Sequence, residues 1–146
     1  MYTKVKTPGE IEAMRAGGKM LGIVLQDLKA KLTPGMTTKD LAEIAKQKLK
    51  ELGGEPAFFG YYGFPDVLCV SVNDEVVHGI PSERVIEEGD IVGMDFGVKL
   101  GGMITDAAIS VIAGKPLSKK DEQLVKVTER ALMAGIDVLK DGVKVG

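Results

Sequence analysis

Two aspartates, Asp95 and Asp106, stand eleven residues apart in GDIVGMDFGVKLGGMITDAAIS, the stretch from Gly89 to Ser110. Ile91–Leu100 and Met103–Ile112 are apolar and β-branched, and Gly101-Gly102 between them is a two-residue hairpin signal. Counting back from that turn sets Leu100 against Met103, Asp95 against Ala108 and Asp106 against Gly97. The two carboxylates are then diagonal neighbours on one face of a hairpin, with backbones roughly 7–8 Å apart. Their surroundings on that face are Gly93, Gly97, Ala108 and Ser110, small residues that leave room for something. Aspartate is depleted in strand interiors, and two side by side repel unless a cation or a shared proton compensates. A divalent metal site is one reading, since two carboxylates can span a pair of ions about 3.5–4 Å apart. A solvated hairpin carrying two incidental acids is the other.

Two further residues and one loop could do chemistry. His78 is the only histidine in the chain and falls in HGIP, between a strand and a turn, where Gly79 allows close backbone approach and Pro81 stiffens the exit. Cys69, the single cysteine, has no histidine close in sequence to activate it, so it reads as an inert thiol that strand alternation turns inward. The segment EPAFFGYYGFPD, Glu55 to Asp66, has neither helical nor strand periodicity, yet holds Phe58, Phe59, Tyr61, Tyr62 and Phe64. A loop this aromatic is either packed under another element or lines a pocket.

The elements that must position these residues are legible on either side. Thr7-Pro8-Gly9-Glu10 is a capped helix start, and Ile11, Met14, Gly18, Leu21, Leu25, Leu28 and Leu32 form one stripe, with Gly18 as the point of close approach. Thr37 to Asp40 caps a second helix carrying Leu41, Ile44, Ala45, Leu49 and Leu52, which stops at Gly53-Gly54. Val67–Val72 reads as a strand, Asn73-Asp74 as a turn into Glu75–His78, and Ser82–Gly89 as a polar connection. Val92, Met94, Phe96 and Val98, with Thr105, Ala107, Ile109 and Val111, form the hairpin's core face. Ser118 to Asp121 caps a third helix to about Lys140, with Leu124, Thr128, Ala131, Leu132 and Leu139 inward, and Val143–Gly146 leads toward another element. Two helices, antiparallel strands and a helix make an α+β fold with the helices on one face of the sheet.

Composition sets outer bounds. The 146 residues suffice for a single domain, 1–146. With 45% apolar and 27% charged residues and a net charge of −2, the chain offers no electrostatic case for nucleic acid. No apolar run could span a bilayer, the N-terminus lacks a signal-peptide core, and one unpaired cysteine fits a reducing compartment, so the expected location is cytoplasmic.

NDEVVHGIP at Asn73–Pro81, EGDIVGMDFG at Glu88–Gly97 and TDAA at Thr105–Ala108 resemble, in letters and spacing, the type I methionine aminopeptidases. TPGEIEAMRAGGKM and PAFFGYYGFPDVLCVSV are also similar to that family, so the resemblance covers essentially the whole chain. It implies half of a pita-bread fold, the N-terminal half, in a family whose two αβ halves flank a dinuclear metal site. Asp95 and Asp106 then match metal ligands, one chelating a single ion and one bridging both. His78 matches the histidine that contacts the scissile amide and steadies the transition state. Phe58, Tyr61, Phe64 and Cys69 fall where the family builds its pocket for a methionine side chain, an apolar, polarizable thioether that suits aromatic edges.

The implied activity is metalloprotease hydrolysis that frees the N-terminal methionine of nascent polypeptides, with two divalent ions (Mn, Fe or Co, Zn possible) supplying hydroxide at neutral pH. The family's remaining ligands, a histidine and two glutamates, and a further histidine come from the second half, and this chain has no histidine after His78. Two aspartates cannot satisfy two metals, so the isolated chain is expected to bind metal weakly and turn over poorly or not at all. Three readings follow: the N-terminal half of such an enzyme, completed by a missing C-terminal half; a half-size protein that pairs with a second copy of itself; or a non-catalytic peptide-binding module of the same fold.

Overall fold

The structure is a computed structural model that describes residues 5–144. Helix α1, Pro8–Lys31, starts at Thr7, whose Oγ1 accepts from the Glu10 amide while the Thr7 amide donates to Glu10 Oε2 at 2.7 Å. Helix α2, Thr38–Leu52, repeats the device with Thr37 and Asp40. Hydrogen bonds from Thr37 hold the Asp40 carboxyl below the usual carboxylate range. Gly53, at φ 78°, closes α2 in the left-handed conformation that a residue without a Cβ adopts freely. Four strands follow: β1, Glu55–Pro56; β2, Leu68–Val72; β3, Ile91–Leu100; and β4, Met103–Ile112. Helix α3, Lys119–Asp137, comes last.

The sheet is antiparallel throughout, with β3 in the middle, β4 along one side and β1 and β2 along the other. Its register is the one the two-glycine turn dictates: Leu100 opposite Met103, Gly97 opposite Asp106, Asp95 opposite Ala108. Both α1 and α2 lie on one face, where Val92, Met94, Phe96 and Val98 of β3 and Leu68, Val70 and Val72 of β2 are sealed against Leu21, Val24, Leu25, Leu28, Leu41 and Leu49. This is the α+β arrangement expected, with helices on one face and the aspartate face left uncovered.

Several expectations need correction. The close approach of α1 to the hairpin is at Gly17, where a Cβ would stand 3.2 Å from Thr105 Oγ1, while Gly18 has nothing near it and Ile11 is exposed. The rest of the stripe holds, with Leu21, Leu25, Leu28 and Leu32 buried as read and Val24 joining them in the core. The Ser82–Gly89 connection is less polar than it reads, for Ile86 is fully buried and exchanges backbone hydrogen bonds with Gly35 and Met36. Glu75–His78 forms no strand after the Asn73 turn.

Cys69 does not face the helices. The core claims its neighbours Leu68 and Val70, and alternation therefore turns the thiol to the aspartate face, where it is nonetheless buried.

On the core side of β4, Ile109 and Val111 are only half-buried and Ala107 is exposed. Helix α3 ends at Asp137, before Lys140, and buries none of its residues: Leu124, Leu132 and, just beyond it, Leu139 stay open to solvent. The 3.6-residue period marks an apolar face, but α3 meets mainly β4 among the described elements, across a cavity bordered by Ile109, Val111, Thr128 and Leu132, and that face stays largely open. Val145 and Gly146 lie outside the described residues.

Candidate metal centre and substrate cleft

Strand pleating puts Asp95 and Asp106 on the same side of the hairpin, the side without helices. There they border a cleft of about 440 Å³ whose walls also include Phe58, Tyr61, Phe64, Cys69 and His78. Seven residues singled out from sequence thus converge on one concavity, drawn from the aromatic loop, β2, the 75–81 segment and both strands of the hairpin. Four that sequence reasoning did not assign to the site, Tyr62, Gly63, Pro65 and Ile80, line it too. Ile80 follows His78-Gly79 directly, so its place in the motif was an available signal. Tyr62 shared the signal of the aromatic loop, and the structure gives it a left-handed φ of 47° inside the short 3₁₀ turn Tyr61–Gly63. A larger cavity of about 540 Å³ on the α2 side of the loop, bordered by Leu49, Pro56 and Phe59, contains neither aspartate nor the histidine.

The loop is not packed beneath another element: Phe59, Tyr61 and Tyr62 are exposed, with Tyr61 and Tyr62 edge to face at 4.7 Å between ring centres. Phe58, by contrast, is tied down to the sheet. Its ring lies over Gly97, where a Cβ would come within 2.6 Å of it. The pocket-lining alternative therefore holds, and the buried-packing one does not.

Electrostatics single out the pair. Burial raises the Asp95 carboxyl to about 6, helped by a hydrogen bond with Asp106 and by that residue's charge, and opposed by nearby His78. A cation between the two carboxylates would relieve that repulsion, and carboxylate oxygens suit a hard or borderline divalent ion. Among the described residues no group of three or more His, Cys, Asp or Glu could hold a metal, so the pair fits an ion as a partial ligand set. Cys69, across from Asp95 in the β2–β3 register, is pushed up to about 11 by burial and by the two aspartates. A thiol so poised stays protonated at neutral pH and acts as pocket wall, in keeping with the inert role read for it.

The family model described as "Metallopeptidase family M24" matches residues 12–146. The chain is 42% identical over 137 residues to methionine aminopeptidase 1 of Bacillus subtilis, covering 94% of this chain and 55% of that protein. It is 43% identical over 133 residues to the methionine aminopeptidase of Clostridium perfringens, covering 91% and 53%. The crystal structure of methionine aminopeptidase from Thermotoga maritima superposes with a TM-score of 0.96 at 38% identity, over 99% of this chain and 58% of that one. The chain spans about half the length of the relatives it matches. No described helix is long and apolar enough to cross a membrane.

Proposed function

This chain belongs to metallopeptidase family M24, with half of a pita-bread fold, and from that premise we propose that it carries part of the active site of a methionine aminopeptidase. The complete enzyme hydrolyses the peptide bond after the N-terminal methionine of nascent polypeptides, in the cytoplasm. The observation that carries this reading is the convergence of Asp95, Asp106, His78 and the aromatic loop on one cleft.

Asp95 and Asp106 would hold divalent ions, of manganese, iron, cobalt or zinc type, and those ions supply a water acidic enough to be hydroxide at neutral pH. Phe58, Tyr61, Phe64 and Cys69 receive the methionine side chain, their apolar surfaces excluding water from the bond to be cut. His78 faces the same space and donates a hydrogen bond to the scissile amide, steadying charge that develops there. Two carboxylates leave the coordination of two ions incomplete, so the chain by itself binds metal weakly and turns over little or nothing.

A second structural half supplies the remaining ligands, either a C-terminal half or a second copy of this chain. The largely open apolar face of α3 and the outer edge of β4, which pairs with no other described strand, both favour a covering element. Calorimetric titration of metal-free chain with Mn²⁺, with oligomeric state followed by light scattering, tests the reading. Binding abolished by Asp95→Asn/Asp106→Asn supports it, and binding that strengthens with self-association favours the second copy. Mn²⁺ binding indifferent to both substitutions, or no metal effect alongside retained peptide binding, would replace it with a non-catalytic module.

A further inference from the structure

His78 stands in the cleft with little regular structure around it. Residues 75–81 form neither helix nor strand, the flanking Val76 and Val77 are exposed, and His78 is itself exposed. Its φ of 57° lies in the left-handed region, which a residue with a Cβ occupies only when its surroundings hold it there. What holds it comes from β2. The Gly79 carbonyl accepts from the Val70 amide at 2.9 Å, and the Gly79 amide donates to Ser71 Oγ at 3.1 Å. Gly79 lies so flat on that strand edge that a Cβ would stand 2.0 Å from the Val70 oxygen.

The Gly79 amide belongs to the same peptide plane as the His78 carbonyl, so a hydrogen bond to it restrains ψ of His78 and, with it, the direction of the Cα–Cβ bond from which the imidazole extends. We propose that Ser71 is a positioning residue for His78: its half-buried hydroxyl anchors the 78–79 peptide and aims the ring into the cleft beside Asp95. The catalytic value of that aim rests on the aminopeptidase reading; the aim itself does not. Ser71 sits two residues from Cys69 on the cleft-facing side of β2, so one strand supplies both a wall of the pocket and the anchor of the residue above it.

The test uses the fact that the chain has a single histidine, whose ring gives one unambiguous set of imidazole correlations in NMR. Ser71→Ala is expected to move these signals toward those of an unconstrained histidine and to make the Gly79 amide exchange roughly five- to tenfold faster. Ser71→Thr, which keeps the hydroxyl, restores both. Unmoved imidazole signals in folded Ser71→Ala overturn the proposal. If Ser71→Ala does not fold, exchange at Gly79 in the unaltered chain decides: protection supports the anchor, and exchange at the unprotected rate overturns it. Mn²⁺ titrated into the same samples separates the two readings. Metal binding at the aspartates with an unmoved ring removes only the positioning role, while a displaced ring without metal binding removes only the catalytic one.

Discussion

Phe58 lies across Gly97, the cross-strand partner of Asp106, at a distance that leaves no space for a Cβ on that glycine. The absent side chain thus ties the wall of the apolar cleft to the strand that carries Asp95. Gly97→Ala must displace the ring or the strand, an overpacking cost of about 1–3 kcal/mol. Thermal denaturation of Gly97→Ala, Phe58→Ala and the double variant checks this, with the double variant expected to lose less than the sum of the singles. Additive losses would mean that the two residues do not press on each other.

The pH dependence of stability follows from Asp95. Its folded pKa, raised to about 6 from the ordinary carboxyl value of 3.8, means that the native state binds more protons than the unfolded one between those values. Unfolding free energy of the metal-free chain therefore falls as pH rises through that window. Asp95→Asn removes this component of the slope and raises stability at pH 7. Denaturant titrations from pH 4 to about pH 7 on both forms measure it, and identical pH profiles would refute the assignment.

Metal affinity should run the other way. Protons compete for Asp95 below about 6, so Mn²⁺ binding weakens as pH falls through that value. Either Asp95→Asn or Asp106→Asn alone is expected to reduce affinity at least tenfold, because each removes half of the chain's ligand pair. Calorimetry at several pH values reads both effects.

Cys69 should resist alkylation in the folded chain. It is buried and its pKa is raised to about 11, so iodoacetamide at pH 8 labels it only as the protein opens. Labelling followed by mass spectrometry with and without urea is expected to differ by orders of magnitude, and comparable rates would show a reactive thiol instead.

Much of the fold was legible because its rules are local. Thr7 and Thr37 announce helix starts through hydroxyls and acids three residues on, and Gly101-Gly102 pins a register that carries Asp95 and Asp106 to one face whatever surrounds them. A period of two also separates the core-facing Val92, Met94, Phe96 and Val98 from the aspartates without reference to the rest of the molecule.

What had to wait for the tertiary structure were questions of what lies opposite. Periodicity marked a glycine approach on α1 but missed its position by one residue, because Gly17 and Gly18 differ only in which of them meets Thr105. It placed Cys69 inward, although both faces of β2 are buried and only packing distinguishes the helices from the cleft. It found the apolar stripe of α3 but not its exposure, since a helix's own residues cannot report whether a partner surface exists. The hold of Ser71 on the peptide after His78 depends on a φ of 57° and on a loop folding back eight residues to its own strand. Local chemistry determined the elements and the aspartate pair; closure of the loops, a matter of long-range contact, decided which side chains share the cleft.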